Sequence, residues 1–294
     1  MPASTAAAWR TIRAAARGSE RDRYLSALLA PRAARDDLVA IAAFLGDIAR
    51  IPRTVSDPRL GAIRLQWWAD TVEGFAEGAP PTGHPLADAL GELTLRHGLA
   101  NSLLADVIDA RFTEFDDAPF LDEAAMLHTL ARAEGGGFRL AASVLDGGDS
   151  PDARAAFDAA GVAFGLVRVF ASLPRQMAHR RLLLPASWPE TGGLARSLSS
   201  DEAPDAAVRA LIARGAVLAR SNLQIVQEFS ARQAARATHS FNAAVLPCAL
   251  VGPQLQALER WNLSAARPAA EFAPLITPLT RVWRLWRAHR RGCV

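Results

Sequence analysis

The chain has 294 residues, half of them hydrophobic, and a formal net charge of +3. That content suffices to bury a large core and excludes a disordered protein, while so small a net charge gives no ground for nucleic-acid binding. All 33 basic residues are arginine, so lysine Schiff-base and general-base chemistry are excluded, whereas recognition of phosphate by guanidinium forks is not.

Ala, Leu and Arg dominate, β-branched residues are sparse and Tyr24 is the single tyrosine, a balance that favours an all-α fold. Residues 1–19 read as an N-terminal extension, rich in Ala and Arg and without acid until Glu20. That composition suits an N-terminal helix of a bacterial protein or a mitochondrial transit peptide, and it lacks the apolar core of a signal peptide. Leu38, Ile41, Ala42, Leu45 and Ile48, at spacings of three and four, predict a helix over 36–51. Asp57 and Pro58 form an N-cap and first-turn pair for a second helix, which carries Ile63, Leu65, Trp67, Trp68 and Val72 toward Phe75 and is broken over 78–85.

Further helices are predicted at 85–97, 100–112, 121–145, 152–171, 204–235, 241–260 and 271–289. Residues 185–204, rich in Ser, Gly and Pro, read as the longest loop, either a linker or a lid. Residues 237–258 carry no formal charge, but His239, Asn242, Pro247 and Pro253 interrupt them too often for a membrane span. Cys248 and Cys293 offer neither a disulfide framework nor a zinc set, which suits a reducing compartment. Without an internal repeat or a shift in composition, 20–294 reads as one domain. In the last helix Trp283 and Trp286 alternate with Arg281, Arg284, Arg287, Arg290 and Arg291. It can be a packed terminal helix whose arginines complement the dipole, or a basic helix in peripheral contact with an anionic membrane.

Several segments, in order, resemble the squalene/phytoene synthase family. Asp22-Arg23-Tyr24-Leu25, Ala40 to Phe44, Ile63-Arg64-Leu65-Gln66-Trp67-Trp68, Glu134 to Gly137, Ala159 to Leu166 and Arg180 to Pro185 match its successive motifs over roughly residues 20 to 260. The resemblance implies an isoprenoid synthase-like, single-domain helical bundle around a central cavity. In that family two Asp-rich motifs on facing helices hold Mg²⁺, which binds the diphosphates of two prenyl substrates, because a hard cation needs carboxylate and phosphate oxygens. Here the first motif falls on Ala49, Arg50 and Arg53, and the second on Ser172 and Gln176, with Arg168 and Arg175 beside them. Asp36-Asp37 and Asp116-Asp117 lie out of register, and Glu73 with Glu77 reads as a solvated pair.

The pattern most resembles a degenerate branch of the family associated with assembly of respiratory complex I. It implies a pseudoenzyme with no catalytic residue, metal or cofactor, and a respiratory-complex subunit as partner. The compartment would be the cytoplasm, peripheral to the inner membrane, or the mitochondrial matrix if the N-terminus is a transit peptide. A transferase of the same family that holds an isoprenoid diphosphate or anionic lipid by Arg instead of Mg²⁺ is the alternative. The binding set that follows is Tyr24, Arg50, Arg53, Arg64, Gln66, Trp68, Arg168, Arg175, Gln176 and Arg181. Each has a plainer reading: the arginines can pair with Asp47, Asp57 or other acids, and Trp67 and Trp68 can be core. Arg64 and Gln66 are the proposed polar lining, since buried polar groups need partners. The six histidines lack metal-ligand spacing, and Gly135 to Gly137 suit close helix packing better than a phosphate loop.

Overall fold

A computed structural model describes residues 6–55, 57–76, 78, 80–116, 120–146, 150–200, 205–235, 240–260, 276–292 and 294. Glu77, Asp117, His239, Cys293 and the first part of the predicted 271–289 segment lie outside them. The regular elements among the described residues are all helices: α1 (Ala6–Ser19), α2 (Arg21–Leu29), α3 (Arg35–Thr54), α4 (Pro58–Ala76), α5 (Pro85–His97), α6 (Asn101–Phe112), α7 (Glu123–Leu130), α8 (Gly136–Val144), α9 (Pro151–Ala171), α10 (Leu173–Ala178), α11 (Pro189–Ser200), α12 (Asp205–Ala235), α13 (Ser240–Ala244), α14 (Val251–Glu259) and α15 (Pro278–Arg291), joined by turns and short 3₁₀ and π segments. The all-α expectation holds.

Local chemistry sets several boundaries where the sequence places them. Pro58 opens α4 while the Asp57 carboxylate accepts from the Arg59 amide at 2.9 Å. Ser150 and Thr277 cap α9 and α15 in the same way, each followed by a proline whose missing N–H costs nothing in a first turn. Gly98 ends α5 in the left-handed conformation (φ 60°), which a residue without Cβ adopts freely.

α9 is apolar around most of its circumference and runs through the middle of the bundle, packed on α12, α7, α8 and α14. α3 belongs to the same core and packs on α1, α2, α5, α4 and α8. Residues 6–19 thus form a helix laid along α3, where the Ser19 hydroxyl would sit only 2.0 Å from a Cβ on Gly46.

Three segments depart from the predicted pattern, one of them 241–260, which divides into α13, a 3₁₀ turn over Leu246–Leu250 and α14. Residues 185–204 are not one long loop: Trp188 and Leu194 are buried, and that anchoring lets 189–200 close into α11 despite two glycines. Residues 121–145 are not one regular helix, because a π turn over Ala131–Gly135 separates α7 from α8. There a Cβ on Gly161 of α9 would meet the Gly135 backbone nitrogen at 2.2 Å, so helix backbones touch, as the glycine run predicts.

Candidate functional site: an arginine-lined cleft over a buried ion network

Arg50 and Arg53 stand one turn apart at the end of α3, Arg168 stands near the end of α9, and Arg175 lies on α10. These four line one cleft of about 440 Å³, closed on its far side by Ala14, Ala15, Gly18 and Ser19 of α1. That size suits a small ligand. Below it, between α3, α6, α7 and α9, the interior leaves about 30 Å³, room for about one water.

The floor of the cleft is an ion network. Glu20 accepts both terminal nitrogens of Arg168, at 2.6 and 2.7 Å, a bidentate fork. The π turn carries Glu134 into the core, where one carboxylate oxygen meets Arg111 at 2.8 Å and Arg168 at 3.7 Å while the other meets Arg23 at 2.8 Å. Arg111 also reaches Glu114 at 2.9 Å, and Arg23 reaches Glu20 at 3.4 Å. Arg23 also lies against two aromatic rings, its guanidinium 4.3 Å from the Phe138 ring centre and 4.9 Å from that of Phe164. Arg53 is held least well, with Nε 3.9 Å from Glu114 and no hydrogen bond for that buried nitrogen.

Three carboxylates, Glu20, Glu114 and Glu134, thus face four guanidiniums, Arg23, Arg53, Arg111 and Arg168, leaving a positive excess to which Arg175 adds. Burial by itself pushes the Glu134 carboxyl up, but Arg168, Arg111 and Arg23 together outweigh it and hold it well below the usual carboxylate range. Burial lowers Arg168, and Glu134 and Glu20 more than reverse that. Arg53 shows the opposite balance: burial comes first, Glu114 offsets only part of it, and neighbouring Arg168, Arg111 and Arg175 bring its pKa down to about 10. Burial lowers Arg175 too, with Glu114 as a partial offset. An anion in the cleft would relieve both.

The remaining predicted residues scatter. Gln176 is buried and fully engaged as a staple, donating to Val169 O at 2.7 Å and to Ser172 Oγ at 2.8 Å and accepting from the Leu183 amide at 2.7 Å. Trp68 is core: it lies edge-on to Phe44 at 5.1 Å, and its indole N–H donates to Asp47 at 3.0 Å. Arg64 and Gln66 are not cleft lining; both are exposed on α4, where Gln66 donates to Asp70 at 2.7 Å. Tyr24 packs half-buried against the main core. Arg181 donates to the Asp116 carbonyl at 2.9 Å. The plainer pairing reading is realised beside the cleft, where exposed Arg50 reaches Asp47 at 3.1 Å. Asp37 is spoken for by Arg96 at 2.8 Å and His97 at 2.7 Å.

Glu20, Arg23, Arg111 and Glu114 carry the network and were not predicted as site residues; Glu134 was noted only as part of a motif. The available signal was a lone carboxylate before three glycines in an apolar stretch, because a charge placed there requires buried partners.

Mg²⁺ does not fit this donor set. Four guanidiniums line the cleft and repel a cation, its two carboxylates are engaged, Glu20 by Arg168 and Asp47 by Arg50 and Trp68, Gln176 and Ser172 spend their oxygens internally, and among the described residues no group of three His, Cys, Asp or Glu is arranged to hold a metal.

Fold and cleft together define an all-α, isoprenoid synthase-like protein with a basic cleft over a charged core. The chain belongs to the squalene/phytoene synthase family, whose profile matches residues 16–270. It is similar in sequence to NADH dehydrogenase (ubiquinone) complex I, assembly factor 6, of Homo sapiens and of Bos taurus, each 24% identical over 264 residues that cover 90% of this chain and 78% of the relative. In structure it is similar to squalene synthase HpnC from Alicyclobacillus acidocaldarius, with a TM-score of 0.68 and 16% identity over 86% of this chain and 94% of that one. A dehydrosqualene synthase crystallised with a ligand gives a TM-score of 0.70 at 12% identity, over 96% and 95% of the two chains. At those identities the two synthases establish the shared fold.

Proposed function

We propose that this chain does not couple prenyl diphosphates through Mg²⁺ but acts as an assembly factor for respiratory complex I. The observation that carries the reading is the cleft itself, where arginines of α3, α9 and α10 stand in place of metal-binding carboxylates. The name of the mammalian relatives and the extent of the match support the assembly role. The chain then works in the cytoplasm, peripheral to the inner membrane, or in the mitochondrial matrix if its N-terminus is a transit peptide. Purified protein given farnesyl or geranylgeranyl diphosphate, Mg²⁺ and a reductant should form no squalene or phytoene, and clear turnover overturns the reading. Loss of the chain in its host should lower the amount of assembled complex I, restored by re-expression.

A second reading is favoured by the weak neutralisation of Arg53 and Arg175: the cleft holds an isoprenoid diphosphate or lipid phosphate by guanidinium alone. Farnesyl diphosphate at about a hundredfold its dissociation constant, with chelator present, should then stabilise the fold by about 2.7 kcal/mol. The joint change Arg53→Gln and Arg175→Gln should abolish that shift, and an unchanged shift removes the cleft as the binding place.

A further inference from the structure

The last helix has two faces. Toward the protein, Arg281 and Leu285 are buried: Arg281 pairs with Asp22 of α2 at 2.7 Å, and Leu285 joins Leu246, Leu250 and Ile276 in a small core of its own. On the other side of the helix, by the 100° step between residues, Leu279, Val282, Trp283 and Trp286 form an apolar stripe that is 83, 52, 47 and 50% exposed. Two tryptophans and two aliphatic residues are thus left on solvent contact, a costly surface that nothing among the described residues covers.

The charges around the stripe decide what covers it. Arg284 and Arg287 lie over the Trp283 ring at 5.7 and 5.0 Å, and Arg290 over Trp286 at 5.9 Å. Each guanidinium caps an indole at the border of the apolar strip, so an aromatic body and a cationic tip point outward together. Among the described residues, no ion pair to a carboxylate engages Arg284, Arg287, Arg290 or Arg291, and α15 contains no Asp or Glu. A helix with a tryptophan-bearing apolar strip, arginines along its flank and no acid matches the boundary between acyl chains and anionic headgroups. A protein surface would have to offer an apolar groove and acids on one side only.

We propose that α15 is a docking helix that seats the protein on an anionic phospholipid bilayer, with Leu279, Val282, Trp283 and Trp286 entering the interface and Arg284, Arg287, Arg290 and Arg291 on the lipid phosphates. The Arg281–Asp22 pair and Leu285 hold the helix to the body, so docking fixes the orientation of the whole bundle against the membrane. Among the described residues no helix is long and apolar enough to cross a bilayer, so the contact is peripheral.

Flotation of the full chain with vesicles tests this. Binding to phosphatidylcholine with phosphatidylglycerol should exceed binding to phosphatidylcholine alone by about tenfold or more, because each arginine near an anionic surface adds attraction, and it should weaken with salt. The double variant Trp283→Ser and Trp286→Ser, and separately Arg284→Gln with Arg287→Gln and Arg290→Gln, should each lose most of the binding at an unchanged melting temperature. No binding to either vesicle overturns the proposal, as does binding that survives both variants. It is likewise overturned if the tryptophan variant instead breaks a dimer seen in sedimentation, since α15 would then be covered by a second copy. None of these outcomes depends on complex I, so failure here leaves the proposed assembly role standing.

Discussion

Arginine does opposite work in two regions of this molecule. At the centre, Arg23, Arg111 and Arg168 are bound to Glu20, Glu114 and Glu134 at distances near 2.8 Å, and the carboxylates that hold them are nearly inaccessible. On α15 the guanidiniums cap tryptophans at the surface and face water. The same side chain is a structural charge where carboxylates enclose it and an unspent one where none is near. The cleft lies between these regimes: Arg168 is fully paired on its floor, while Arg53 is half-buried near three other cations with one distant acid. That gradient of neutralisation separates what holds the bundle together from what is free to meet a ligand or a membrane.

The sharpest way to break the contrast is Glu134→Gln. It strands Arg23, Arg111 and Arg168 in the core without their shared counter-charge, and removing one member of a buried ion pair costs about 3–5 kcal/mol. Denaturant unfolding measures the loss, and a value under about 1 kcal/mol would mean the network is surface-like. Acid probes the same carboxylate without a mutation. The folded pKa of Glu134 lies below its unfolded value, so its stabilising contribution is full above the unfolded carboxylate range and is lost as pH falls through the folded pKa. Melting temperature should therefore drop on acidification more steeply in the natural protein than in Glu134→Gln.

Smaller effects are expected toward the surface. Gln176→Leu leaves the Leu183 amide without a partner and takes one donor each from the Val169 carbonyl and the Ser172 hydroxyl, at a cost of about 1–3 kcal/mol. Arg50→Gln breaks an exposed pair with Asp47 and should shift stability by less than about 1 kcal/mol. The α15 variants should leave stability unchanged, which completes the ordering from core to surface.

How much of this was legible depends on the range of the interaction. The helices of 36–51, 58–75, 85–97 and 152–171 were readable because periodicity, caps and prolines act within a few residues, and α3, α4, α5 and α9 appear where they were predicted. Arg50, Arg53, Arg168 and Arg175 were singled out because their spacing relative to family motifs put them on facing helices, and they do line one cleft. Arg64 and Gln66 were misplaced: a helix in isolation does not reveal which side its neighbours cover, and here they cover Leu65 and Trp68 instead. The helix of 189–200 was missed because its local sequence is rich in breakers, and burial of Trp188 and Leu194 supplies what propensity does not.

The sequence by itself determined the fold class and the family, since both rest on residue identity and short spacings. Which arginines are neutralised was decided only by the tertiary structure. Glu20 reaches Arg168 across 148 positions and Glu134 reaches Arg23 across 111, and only the packing of α2, α9 and the π turn brings them together. Electrostatic balance in a low-dielectric core is a property of distances in space, and the sequence lists the charges without saying which of them meet.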